Sequence, residues 1–200
     1  ALHEAQYHAP ALVLLLSPSL RQSQELFRKV TDARAALGAH GFPVAEESAL
    51  RLELRNGSRI VCLPGKEATI RGYSGVSLLV VDEASRVPDD LYQAVRPMLA
   101  VSGGRLVLLS TPFGRRGFFH HEWTEGGESW ARVKVTAREC PRIPRAWLDA
   151  EREAIGDWWF RQEYECEFVE TLDQVFSYDL VTGAVNPEIA PLFGGWRCAE

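Results

Sequence analysis

The 200 residues carry a net charge of −5, with 46% hydrophobic and 24% charged content, which fits a folded domain with a sizeable core and excludes wholesale disorder. No apolar run approaches the roughly 18–20 residues that cross a bilayer, so no membrane partner is expected; Ala11 to Leu16 follows His and Glu rather than a basic segment, unlike a signal peptide. The acidic balance gives no global attraction for nucleic acid, which leaves that task to a local patch or a larger assembly.

Cys62, Cys140, Cys166 and Cys198 lack C-x-x-C spacing, which argues against zinc and fits reduced thiols in a cytoplasm. The chain does not begin with Met, so a segment of a longer protein is expected.

In chain order, Ala1 to His8 reads as the last turns of a helix stopped by Pro10. Ala11 to Leu16 is a strand of the buried type. Ser19 then caps a helix whose Leu20, Leu26, Phe27, Val30, Ala33 and Leu37 recur at helical spacing up to Gly38. Its first turn holds Arg21 and Gln22, which suit a phosphate or DNA backbone as well as they suit a solvated helix face. Leu50, Leu52 and Leu54 alternate with charged residues, Asn56-Gly57 turns the chain, and Arg59 to Leu63 returns, predicting a hairpin. Gly65-Lys66 is not a phosphate loop, because Ile60 and Glu67 stand where Gly and Ser or Thr are required.

Leu78-Leu79-Val80-Val81 predicts a strand covered on both faces, ending in Asp82-Glu83. In a parallel sheet, ligands bind beyond the carboxyl ends of the strands. Two carboxylates there suit Mg²⁺-dependent phosphate chemistry, with Asp82 helping to hold the metal shell through water and Glu83 orienting or deprotonating the attacking water. A strand ending in a solvated acidic turn fits the same residues. Pro88-Asp89-Asp90 starts a helix with Leu91, Val95, Met98 and Leu99 inward, and Leu106 to Leu109 forms another buried strand ending in Ser110-Thr111-Pro112. A strand, helix and strand in succession make a βαβ unit whose two polar tips share one edge, which favours a nucleotide site over a solvated turn.

Arg115 and Arg116 lie in a glycine-flanked basic loop before Phe118 and Phe119. The loop could touch nucleic acid, while the aromatics fit the buried face of a short helix. Trp130 to Val135 alternates like an edge strand, Pro144 to Ile155 reads as a helix, and Asp157 to Phe168 reads as a second helix whose Trp158, Trp159, Tyr164 and Phe168 cap the core.

Ser17-Pro18-Ser19-Leu20-Arg21-Gln22-Ser23, Arg71-Gly72 ahead of Leu79-Val80-Val81-Asp82-Glu83-Ala84, Leu109-Ser110-Thr111-Pro112 and Phe160-Arg161-Gln162-Glu163-Tyr164, in that order, resemble the ATPase domain of a phage or prophage large terminase subunit. The resemblance implies an α/β, RecA-like P-loop NTPase with a mainly parallel central sheet flanked by helices and a β-hairpin insertion. It implies ATP and Mg²⁺ as cofactors and a motor that drives double-stranded DNA into a procapsid in the bacterial host cytoplasm. Its partners would be the portal protein, the small terminase subunit and further copies in a ring.

In that family pattern Asp82 and Glu83 are the Walker B pair, Ser110 and Thr111 the coupling motif, and Arg71 an arginine acting in trans. Two departures stand out. No G-x-x-x-x-G-K-[ST] occurs, so Walker A is expected upstream, its helix running into Ala1 to His8. No nuclease acidic cluster follows, so residues 1–168 are expected to be a partial ATPase domain and 169–200 a connector toward a nuclease. A fragment without Walker A is expected to be a poor ATPase. A superfamily-2-type helicase ATPase and a catalytically dead prophage remnant serving as an assembly or binding module are the competing readings.

Overall fold

The structure is a computed structural model describing residues 1–38, 43–65, 72–170, 176, 178–184 and 189. Its strands are β1 (Leu12–Ser17), β2 (Val44–Glu47), β3 (Arg51–Leu54), β4 (Arg59–Pro64), β5 (Leu78–Asp82) and β6 (Arg105–Leu109). Its helices are α1 (Leu2–Tyr7), α2 (Leu20–Ala36), α3 (Asp89–Val95), α4 (Pro97–Ala100), α5 (Gly117–Thr124), α6 (Arg145–Ile155), α7 (Asp157–Glu163) and α8 (Tyr178–Ala184). The strands form one sheet in the order β2-β3-β4-β1-β5-β6. β4, β1, β5 and β6 run parallel, while β2 and β3 are antiparallel additions beside β4. This is the expected α/β architecture with a mainly parallel sheet. Among the described residues no helix is long and apolar enough to cross a membrane.

β1 organises the core because it pairs on both sides, and its residues alternate between two apolar clusters. Leu12, Leu14 and Leu16 meet Val61, Leu79, Val81, Leu91, Val95 and Phe118 on the face covered by α3, α4 and α5. Val13 and Leu15 meet Ala5, Phe27, Val30, Ile60 and Leu78 on the face covered by α1 and α2. Two-sided burial is what an unalternating apolar strand requires. α2 starts where expected, with the Ser19 side chain accepting from the Gln22 backbone N–H at 3.3 Å.

The hairpin turns at Asn56-Gly57, where φ of Gly57 is 83°, a conformation glycine adopts without steric cost. It is built into the sheet, since β4 is at once its return strand and the parallel neighbour of β1. The Ala11 N–H donates to Ser58 Oγ at 3.0 Å and ties the turn to the start of β1.

Several expectations need correction. β6 has the composition of a buried strand but is an edge strand, with Val107 38% and Leu109 49% exposed. Trp130 to Val135 pairs with none of the strands. Alternation makes a strand only where another backbone lies within ladder distance, and a cavity of about 780 Å³ separates residues 129–133 from β6.

The helix beginning at Pro88 breaks into α3 and α4 at Pro97, which has no N–H to continue it. α7 ends at Glu163 instead of running to Phe168, and Cys166 takes a left-handed φ of 51° soon after. Its core residue is Phe160, fully buried, whereas Trp159 is 42% exposed. Nothing in Val44-Ala45-Glu46-Glu47 announced β2.

Candidate active site

The parallel ladder brings three strand ends to one edge. Leu16 lies level with Val81, and Asp82 with Leu109, so Ser17, Asp82 and Ser110 leave their strands together as the apolar runs required. After Asp82 the backbone turns sharply. Glu83 takes the left-handed conformation at φ 52°, ψ 42°, and a short 3-10 turn, Ala84–Arg86, follows with Ala84 buried. Left-handed backbone at a glutamate is uncommon and persists where the surroundings enforce it, often at functional positions. Here it lets Ala84 drop into the core while Glu83 stays at the edge.

The Glu83 N–H donates to Asp82 Oδ1 at 3.2 Å. Burial pushes the Glu83 carboxyl above its ordinary value, the neighbouring charge of Asp82 adds to this, Arg86 opposes it, and Glu163 adds again. A carboxylate raised in this way is a better proton acceptor near neutral pH. Asp82, beside it, offers hard carboxylate oxygen of the kind Mg²⁺ prefers. Ser17, one step beyond Leu16, has a buried Oγ with no partner among the described residues. The donor set therefore fits a small divalent cation at this edge, with Asp82 as the residue to hold it.

The second polar tip is joined to the first by hydroxyls. Ser85 Oγ and Ser110 Oγ are 2.7 Å apart, the Ser85 N–H donates to Ser110 Oγ at 3.2 Å, and Ser85 Oγ donates to the Thr111 carbonyl at 2.8 Å. Thr111 Oγ1 reaches Glu163 Oε2 at 3.1 Å. Arg86 lies between Glu163 and Glu83, 3.5 Å from one carboxylate and 3.9 Å from the other. The turn after β5, the tip of β6 and the end of α7 thus form one polar network. Sequence reading singled out Asp82, Glu83, Ser110 and Thr111 but missed the linking Ser85, Arg86 and Glu163. Ser85 and Arg86 lie just beyond the paired carboxylates, and Glu163 lies in the Phe160–Tyr164 run that carried the resemblance, which are the signals that could have found them.

The remaining described candidates lie on α2 and in the loop before α5, where Arg116 shares the Phe113 ring with Arg86. Arg21 and Gln22 are exposed on the first turn of α2, with Gln22 engaged in the Ser19 cap. Arg115 donates from Nε to the Phe168 carbonyl at 3.2 Å, and Arg116 stacks 5.1 Å from the Phe113 ring centroid. Arg115 thereby ties its loop to the segment after α7, whereas Arg116 remains exposed. Phe118 and Phe119 are buried on α5, the structural one of the two roles weighed for them. Arg71 lies outside the described residues.

The chain is similar to known proteins in sequence and in fold. The large terminase subunit of Escherichia phage T5 is 26% identical over 154 residues, covering 73% of this chain and 35% of that protein. The corresponding subunit of Thermus virus P23-45 is 27% identical, covering 82% of this chain and 41% of that protein. The chain thus spans well under half the length of these relatives. Among solved structures, the large terminase ATPase domain of Thermus phage P74-26, as an arginine-to-alanine mutant, superposes with a TM-score of 0.71 at 21% identity, over 84% of this chain and 81% of that one. The large terminase of a thermophilic bacteriophage in complex with ATP-gamma-S gives 0.64 at 13% identity, over 82% and 42%. These similarities show the RecA-like fold. The family described as "Terminase large subunit, T4likevirus-type, N-terminal" matches residues 15–182, well over half of the sequence, and the chain belongs to that family.

Proposed function

We propose that this chain is the ATP-hydrolysing part of a phage large terminase motor that drives double-stranded DNA into a procapsid. The observation that carries the reading is the convergence of Asp82-Glu83 and Ser110-Thr111 on one carboxyl edge, joined through Ser85, in a member of the terminase large-subunit family. Glu83 orients the attacking water and takes its proton, a role for which a raised carboxyl suits it. Asp82 would help hold Mg²⁺, which would supply positive charge against the phosphates. Ser110 and Thr111 sense the state of that edge and pass it through Glu163 to α7.

No phosphate loop occurs in the 200 residues, so the reading leaves the triphosphate cradle to sequence outside them, and the chain by itself turns over ATP poorly. Residues 1–168 make up the ATPase part and 169–200 lead toward a nuclease part. In the working motor the partners are the portal, the small subunit and further copies of the same protein in a ring, inside the bacterial host. Of the arginines singled out in the sequence, Arg21 and Arg116 are exposed and would meet DNA.

The test uses the full-length large subunit. Glu83→Gln is expected to lower ATP turnover by ~10²-fold or more and to stop packaging, with nucleotide binding retained. Turnover that survives Glu83→Gln would overturn the assignment.

A further inference from the structure

A single guanidinium is shared between the two carboxylates that matter most at this edge. Arg86 closes the turn after Glu83. Its Nη2 is 3.5 Å from Glu163 Oε1, and its Nε is 3.9 Å from Glu83 Oε2. Its guanidinium carbon also lies 4.3 Å from the centroid of the Phe113 ring, which limits its swing. Glu163 is held from other directions as well: its Oε2 accepts from Thr111 Oγ1 at 3.1 Å and its Oε1 from Gln162 Nε2 at 3.1 Å. Gln162 is itself buried. The contact with Glu83 is longer than a hydrogen bond, and the one with Glu163 lies at the outer limit. Arg86 is divided between two partners and committed to neither.

We propose that Glu163 is a positioning residue for Glu83: by drawing Arg86 toward α7 it keeps the guanidinium from closing a hydrogen-bonded pair with Glu83, and so leaves that carboxylate free to act on water. The proposal rests on the reading of Glu83 as the water-directing group. An arginine–carboxylate pair at full contact is charge-assisted and geometrically fixed, so a Glu83 captured in one is turned away from its water. Because Glu163 also holds Thr111, the same side chain ties Glu83's freedom to the position of the β6 tip. A shift of that tip that pulls Glu163 away releases Arg86 onto Glu83 and stops hydrolysis. Glu163 thus connects a mechanical state to the hydrolytic group through two contacts, neither of which touches substrate.

The test is steady-state ATP turnover by the full-length large subunit carrying Glu83→Gln, Glu163→Gln, Glu163→Ala, Arg86→Ala, or Glu163→Ala with Arg86→Ala. Both Glu163 variants are expected to lower kcat by about tenfold or more with KM for ATP within about twofold, the signature of a lost positioning effect rather than lost binding. Adding Arg86→Ala to Glu163→Ala is expected to restore kcat to within about threefold of wild type, a strong coupling of the two sites. Glu163→Gln keeps the shape and the Thr111 contact, and thermal melts run alongside, so misfolding does not mimic the result. A double variant no faster than Glu163→Ala alone overturns the proposal, as does an effect carried by KM. If Glu83→Gln abolishes turnover while the Glu163 variants behave as wild type, this inference alone falls. If Glu83→Gln still turns over, the assignment of Glu83 falls and takes this inference with it.

Discussion

β1 and β6 are nearly the same sequence in two different places. Leu12-Val13-Leu14-Leu15-Leu16-Ser17 sits at the middle of the sheet and is buried throughout, whereas Leu106-Val107-Leu108-Leu109-Ser110 runs along its edge with every second residue exposed. Leu106 and Leu108 do pack against the cluster under α3, α4 and α5. The other face of β6 carries Arg105, Val107 and Leu109, where α1 supplies the Glu4 carboxylate to Arg105 and Val107 and Leu109 stay exposed. An unalternating apolar run therefore states what covering a strand can use, not what covering it has. The serines that end the two strands repeat the contrast, one with a buried hydroxyl that has no partner among the described residues and the other built into a network.

Like-for-like truncation gives the largest expected difference. Leu14→Ala removes a fully buried side chain and is expected to cost about 3–5 kcal/mol in equilibrium urea unfolding. Leu109→Ala, at a site 49% exposed, is expected to cost less than about 1.5 kcal/mol. Equal losses would mean that the outer face of β6 is covered in solution, and the contrast would fail. The serines sharpen it further. Ser110→Ala strips a partner from both the Ser85 N–H and the Ser85 hydroxyl and is expected to cost about 1–2 kcal/mol. Ser17→Ala deletes a buried hydroxyl that no described residue satisfies and is expected to be neutral or stabilising within about 1 kcal/mol. A Ser17→Ala loss as large as that of Ser110→Ala would reveal a partner for Ser17.

What was legible in the sequence follows from the same physics. β1, α2 with its Ser19 cap, the Asn56-Gly57 hairpin and the Asp82-Glu83 tip were readable because each depends on neighbours in sequence or on burial that the run itself demands. The exposure of β6, the unpaired Trp130 to Val135 and the early end of α7 depend on which other elements lie alongside, and no local pattern carries that. The same holds within the site. Asp82, Glu83, Ser110 and Thr111 announced themselves as polar residues at the ends of apolar runs. Glu163 lies on a different helix and joins them through Thr111, Arg86 and its charge near Glu83, so its role had to come from the fold.

The smallest expected effect belongs to β5, which lies between the two compared strands and whose tip is neither sealed nor open. Glu83 is buried enough for desolvation to raise its pKa from the ordinary 4.5, yet its side chain is 39% exposed. Below the unfolded value the carboxyl is protonated in both states and the shift has no effect on stability. As pH rises through the higher folded value, the folded state must hold an ion that burial and Asp82 disfavour, and stability relative to Glu83→Gln is lost. In urea unfolding with chelator present, the Gln variant should therefore gain on wild type as pH rises above the ordinary carboxylate value, by less than about 1 kcal/mol because solvent screens so exposed a group.

Glu139 supplies the opposite sign. Its carboxyl is held below the ordinary value by the Thr136 backbone N–H and hydroxyl, so its contribution is present above the unfolded pKa and fades as pH falls through the folded one. Glu139→Gln should therefore fall behind wild type as pH rises up to the ordinary carboxylate value, in a range below the one in which Glu83→Gln moves ahead. A Glu83→Gln curve that stays level with wild type would mean that Glu83 is solvated like any surface carboxylate, and that the β5 tip belongs with the open strand rather than between the two.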